Sequence, residues 1–238
     1  MKSSALSKFG KSEIYRFVKH IPFLACLSSD ELNKINHIIT KKHFSKNEVI
    51  LLEEDTPNYM YIVFSGRVKA VQINYDGREK ILGIHKEGDY FGEMALLDGR
   101  TSPATVIAVE NSIIGLISKE DFERFLLAKD RVKSQIISLL CSRLREAWLM
   151  LKVISFADAE HRVRAILEYL SAQYGTEKQG GTLIRLKLTH QEIADFASVS
   201  RETVSRILHN FIEAGEVENS DHKCLLLKPS FFKKSLFL

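Results

Sequence analysis

Cysteine is scarce and scattered. Cys26, Cys141 and Cys224 lie far apart in a chain of 238 residues and form no CxxC pair, so there is no disulfide framework and no support for a zinc site or a cysteine-held iron–sulfur cluster. Reduced thiols suit the cytoplasm. Long apolar runs are missing too: nothing reaches the roughly 18 residues that a membrane helix requires, and the opening stretch, MKSSALSKFGKSEIYR, lacks an apolar signal core. Neither a membrane partner nor export is expected.

Nor is either sign of charge in excess. Against 34 Lys and Arg stand 30 Asp and Glu, for a net charge of +4 and a pI near 8.8, which permits a nucleic-acid partner without demanding one. Charge alone decides nothing here. At 45% hydrophobic and 27% charged residues, the chain is ordinary globular material, long enough for one large or two medium domains.

What is present is a helix-turn-helix pattern over residues 188–217, LTHQEIADFASVSRETVSRILHNFIEAGEV. Thr189 with Glu192 forms a capping box that starts one helix. Ile193, Ala194 and Ala197 follow at helical spacing, Val199 plugs the turn, and Ser200 caps a second helix. In that helix Val204, Ile207, Leu208, Phe211 and Ile212 make one apolar stripe, leaving Arg201, Glu202, Ser205, Arg206 and His209 outward. The first four occupy the end of a recognition helix that reaches base edges. Arg pairs bidentately with guanine and Glu accepts from cytosine N4, while Ser, Thr and Gln at helix starts hold phosphates. An amphipathic helix pair with a solvated charged face is the alternative.

Ahead of this module the period changes twice. Residues 1–20 are a Ser- and Lys-rich lead-in, Ile21-Pro22-Phe23 with Leu27 forms an anchoring turn, and Ser28 or Ser29 caps a helix running to about Ile39. Six short runs rich in β-branched and aromatic residues follow, at 48–52, 59–65, 67–73, 79–85, 104–109 and 112–118, separated by turn signals such as Asp76-Gly77. They predict an antiparallel barrel or roll. A helix is expected over 119–128 and a longer one from Asp130 to about Phe156, in which Ile137, Leu140, Leu144, Ala147, Leu151 and Ile154 follow a 3-4-3-4-3 spacing. That is a coiled-coil seam, read here as a dimer seam; packing on the roll is the alternative. Residues 155–158 are the hinge, Val163, Ile166, Leu167 and Leu170 build a supporting helix, and 175–182 reads as a loop. Gly215 stops the recognition helix, and runs near Val217 and 224–227 form a wing. The apolar and basic tail is assigned no role.

Two motifs give the chain a resemblance over nearly its whole length to the CRP/FNR family of bacterial transcription regulators. They are GDYFGEMALLDG at 88–99, similar to that family's cyclic-nucleotide-binding cassette, and SRETVSRIL at 200–208, similar to its recognition helix. The resemblance implies an α+β chain in three parts: an N-terminal antiparallel β-roll of jelly-roll type over 1–128, a dimerisation helix and hinge over 129–157, and a winged helix-turn-helix over 158–238. It further implies a homodimer, RNA polymerase as a partner, and double-stranded promoter DNA with palindromic half-sites containing a TGA core. Arg201, Glu202 and Arg206 match the base-reading positions of one branch, and Glu202, Ser205 and Arg206 match the E-x-x-S-R triplet of the other. Thr189, Gln191, Ser200 and Thr203 match positions that hold phosphate or buttress the helix.

The sensor departs from the family pattern. The effector pocket implied by the resemblance comprises Gly92, Glu93, Met94, Arg100, Ser102, Ala104 and Trp148. Gly92 matches a close backbone approach and Glu93 a ribose-binding carboxylate. Where members that bind cyclic nucleotides have an arginine for the phosphate, this chain has Ser102, followed by Pro103, which has no N–H to donate. Arg100 lies two residues earlier, and Ala147 and Trp148 stand where the adenine-contacting hydroxyls are expected. This argues against cyclic AMP in the usual pose and leaves the effector unidentified. A haem-based sensor using His20, His37, His43 or His85, and a constitutive DNA-binding protein, are the rival readings. No nucleophilic or hydrolytic constellation is present, so an enzyme is not expected.

Overall fold

The computed structural model describes residues 21–156, 158–220 and 224–234. The expected lead-in with His20, Ala157 of the hinge and most of the wing turn lie outside the described residues. Contacts divide the chain into two units, Met1–Ser142 and Arg143–Leu238, so the division falls inside the long helix.

The first unit begins with α1 (Pro22–Ala25) and α2 (Ser29–Ile38), the latter started by a capping box between Ser28 and Glu31. Eight strands follow: β1 (Thr40–Phe44), β2 (Val49–Leu51), β3 (Tyr59–Ser65), β4 (Arg67–Ile73), β5 (Glu79–Lys86), β6 (Tyr90–Phe91), β7 (Thr105–Ala108) and β8 (Ser112–Ser118). They form two antiparallel four-stranded sheets, ordered β1-β8-β3-β6 and β2-β7-β4-β5. Strand β3 shows why the stretch MYIVF within it is apolar without alternation, since both its faces are covered there. Tyr61 and Val63 join an inner cluster with Leu51, Phe91 and Ile114. Met60, Ile62 and Phe64 pack on the other side with Phe23, Leu24, Leu32 and Phe122.

Three elements of this unit were not expected from local pattern. Strand β1, TKKHF, is polar and mostly exposed; its pairing with β8 makes it a strand. Within the cassette lie β6 and a short helix, α3 (Glu93–Asp98). The helix expected over 119–128 is a single turn, α4 (Lys119–Asp121), that continues as a π-helical segment, Phe122–Leu127, seating Phe122 and Leu126 in the core.

Helix α5 (Asp130–Phe156) has 27 residues and is about 40 Å long at 1.5 Å per residue. Its start is tied to α2 by Glu31, which pairs with Lys129 at 2.8 Å and with Arg131. The Lys129 ammonium, helped by the Ser28 N–H, holds the Glu31 carboxyl down at about 2.

The second unit contains α6 (Ala159–Tyr174), capped by Asp158, then β9 (Gly175–Lys178) and β10 (Gly181–Ile184). The stretch read as a loop is therefore a hairpin. Its polar, glycine-rich sequence hides this, and Gly181 has a positional reason: a Cβ there would meet the Leu227 carbonyl oxygen at 2.1 Å. Helices α7 (His190–Ala197) and α8 (Arg201–Glu213) precede the wing strands β11 (Val217–Ser220) and β12 (Cys224–Leu227). The sheet order is β11-β12-β10-β9.

The tail is not idle. A short 3₁₀ helix, Phe231–Lys234, buries Phe231, and beneath it Arg164 of α6 is 1% exposed. Its guanidinium pairs with Glu216 at 2.7 Å, donates to the Phe231 carbonyl at 2.8 Å, and lies 4.4 and 4.6 Å from the rings of Phe211 and Phe231. Burial alone would raise the Glu216 carboxyl, but hydrogen bonds from Arg164 and Lys234 outweigh it and keep the group below the usual carboxylate range. Breaking a buried pair strands the other charge, at a cost of about 3–5 kcal/mol. Arg164→Ala is expected to raise hydrogen-exchange rates of the α8 backbone amides by that free energy in the full chain; unchanged protection would contradict this role.

Candidate nucleic-acid interface and effector cassette

The recognition module is built by its caps. The Thr189 hydroxyl accepts from the Glu192 N–H at 3.1 Å, while the Glu192 carboxylate accepts the Thr189 N–H at 2.7 Å. The turn passes through Ser198 at φ 53°, and the Ser200 hydroxyl accepts from the Thr203 N–H at 3.2 Å. Gly215, at φ 66°, follows the last residues of α8. Capping thus fixes where each helix starts, and a left-handed glycine where the second stops.

Val204, Ile207, Leu208 and Phe211 are buried as expected, but Ile212 is 36% exposed. At 100° per residue it lies about 80° from Val204, on the edge of the stripe rather than within it. The opposite side of α8 presents Arg201, Glu202, Arg206 and His209 to solvent, with Ser205 on the shoulder. The Glu202 carboxyl is held below the usual range by its own backbone N–H at the helix start and by the Ser200 hydroxyl. It is therefore an ionised, acceptor-only group at neutral pH.

The structure separates the expected contact residues into two groups. Arg201, Glu202, Ser205 and Arg206 share one side of α8. Thr189, Ser200 and Thr203 hydroxyls serve the caps, and the Gln191 amide donates to Asp195 at 2.7 Å. Sequence reasoning missed His190, the first residue of α7, whose Nδ1 lies 2.7 Å from Ser205 Oγ. No local pattern announces a contact across fifteen residues. A groove of about 710 Å³ beside these helices is lined by Thr189, His190, Gln191, Arg201 and the wing's Asn219.

In the first unit the cassette residues divide between buried and exposed positions. Gly92 sits at φ 82°, and a Cβ there would meet the Tyr61 ring at 2.8 Å and the Tyr59 carbonyl at 3.1 Å. Glu93 and Ala104 are buried, whereas Met94 and Arg100 are exposed. The Arg100 N–H donates to Asp98 at 2.9 Å. Ser102 is buried and turned inward: its hydroxyl donates to the Ala104 carbonyl at 2.8 Å and its N–H to the Asp55 carbonyl at 2.8 Å. Both donors of Ser102 are thus satisfied internally. A cavity of about 350 Å³ opens elsewhere in the roll, among Lys42, Phe44, Ile50, Tyr59, Tyr61 and Leu116.

Along α5, Ile137, Leu144 and Leu151 are 61%, 51% and 62% exposed, Ile154 and Ala147 are exposed as well, and Leu140 is half-buried. Trp148 is also exposed and belongs to the second unit. His37 and His43 are exposed on α2 and β1, and His85 packs 5.6 Å from the Phe91 ring. Among the described residues no group of three or more His, Cys, Asp or Glu is placed to hold a metal ion, and no helix is long and apolar enough to cross a membrane.

Residues 41–129 match the family model of the cyclic nucleotide-binding domain, and residues 161–231 that of the Crp-like helix-turn-helix domain. The Cyclic AMP receptor protein of Thermus thermophilus is 33% identical over 202 residues, 84% of this chain and 89% of that protein. The Fumarate and nitrate reduction regulatory protein of Salmonella typhi is 28% identical over 211 residues, 84% of this chain and 83% of the relative. Among solved structures, FixK2 from Bradyrhizobium japonicum shares the fold at a TM-score of 0.73 and 22% identity, over 83% of this chain and 98% of that one. With Ser102 engaged as described, titration calorimetry with cyclic AMP is expected to give no heat of binding at micromolar concentrations. A micromolar or tighter dissociation constant would overturn that reading.

Proposed function

Because the chain belongs to the CRP/FNR family of transcription regulators, we propose that it acts on promoter DNA as a homodimer, with Arg201, Glu202, Ser205 and Arg206 reading base edges in the major groove. The observation that carries this is the two-sided character of α8. Four apolar side chains anchor one face in the core, and a guanidinium–carboxylate–guanidinium set, free of the core, occupies the other. Arg supplies bidentate donors for guanine O6 and N7, and ionised Glu202 accepts from cytosine N4. Together these fit a TGA-containing half-site.

Dimerisation is supported by the exposed stripe on α5. Isolated exposed leucines need no explanation, but a heptad-spaced row along one helix is a seam waiting for its copy. Two copies would hold recognition helices about 34 Å apart, one turn of DNA. Effector control is assigned to the β-roll. The self-satisfied Ser102 and exposed Arg100 favour an effector other than cyclic AMP in the family's usual pose, and promoter occupancy by RNA polymerase is the step being regulated.

Genome-wide binding with motif extraction tests this reading. The expected outcome is a palindrome of two TGA-containing half-sites, weakened on changing TGA to TCA, and lost with Leu151→Asp, which is also expected to sediment as a monomer. Specific binding by a monomer, or indifference to the TGA-to-TCA change, would contradict it.

A further inference from the structure

We propose that His190 is a specificity-determining residue: through its hydrogen bond to Ser205 it fixes whether that serine donates to or accepts from the base it meets. The inference rests on α8 being the base-reading helix. His190 is the first residue of α7 and Ser205 lies in the second turn of α8, and both are accessible from the outward side. Their side chains meet at 2.7 Å, Nδ1 to Oγ.

The physical argument is one of proton inventory. A serine hydroxyl has one proton and two lone pairs, and an imidazole nitrogen is either a donor or an acceptor. If Nδ1 carries a proton, it donates to Oγ, and the Ser205 O–H is left free to point outward as a donor beside the one remaining lone pair. If Nδ1 is bare, it takes the Ser205 proton, and only acceptor lone pairs face the groove. His190 thus sets the polarity of a neighbouring reader without touching a base.

The major groove turns that polarity into a defined base exchange. The adenine N6 amino group occupies the place where guanine has O6, and the cytosine N4 amino group the place where thymine has O4. Inverting the polarity of Ser205 therefore exchanges adenine with guanine, or cytosine with thymine, at one base pair: a transition rather than a transversion. A general change in charge at position 190 would instead move affinity for all sequences together.

The test is selection from a randomised half-site library by the full-length protein and its variants. His190→Asp places an acceptor-only oxygen close to where Nδ1 stood and suits the start of a helix; His190→Lys brings a donor-only group within reach of Ser205 on a longer stem. The two variants are expected to prefer bases related by a transition at a single position, with the base ratio shifted about tenfold between them, and Ser205→Ala introduced into each is expected to abolish the difference. Thermal melting checks that each variant is folded. The same base chosen by both variants, or a difference that survives Ser205→Ala, overturns the proposal. A wild-type chain that selects no half-site at all overturns the base reading beneath it.

Discussion

The second unit is organised around a buried cation. Arg164 is buried on α6, and a guanidinium in that position is tolerable only with its charge opposed and its N–H groups used. Glu216 supplies the charge, the Phe231 carbonyl an acceptor, and the rings of Phe211 and Phe231 two polarisable faces. These partners come from the end of α8, the start of the wing and the tail. Satisfying one side chain therefore fixes three elements, among them α8. Phe231, in a tail to which the sequence assigns no role, closes this site with its ring.

The two units use similar means for different ends. In α8 a buried stripe frees the opposite face, so side chains with strong hydrogen-bonding preferences stand in solvent, available to a partner. In the cassette the sense is reversed. Gly92 makes room for the protein's own Tyr61, Glu93 is buried, and Ser102 spends its donors on neighbouring carbonyls. The motif carries the chain from β6 through α3 toward β7. A cavity with Lys42, Tyr59 and Tyr61 on its walls opens among the strands of the roll.

Much of this was legible in the sequence because it is written in local chemistry. The Thr189–Glu192 capping box, the Ser200 cap, Gly215 after α8 and the long periodic run of α5 all appear where a few neighbouring residues demand them. The failures share a different cause. Strand β1 is a strand only because β8 lies beside it, and the β9–β10 hairpin takes its identity from β12. Ile212 falls off the stripe because eight residues make about 2.2 turns, which sets it about 80° from Val204. The Arg164 site and the His190–Ser205 contact join residues 52 and 15 positions apart, where no periodicity reaches.

The central claim is that individual side chains on the outer face of α8 touch individual bases. Its most direct test is the binding of Arg206→Ala to the selected operator, to operators altered one base pair at a time, and to random duplex, across a range of salt. Loss of discrimination at one guanine per half-site is predicted, costing about 1–3 kcal/mol, with random-duplex affinity and the salt slope unchanged. Uniform weakening on every duplex with base discrimination intact would mean that Arg206 holds phosphate, and the account of α8 as the reading surface would be wrong.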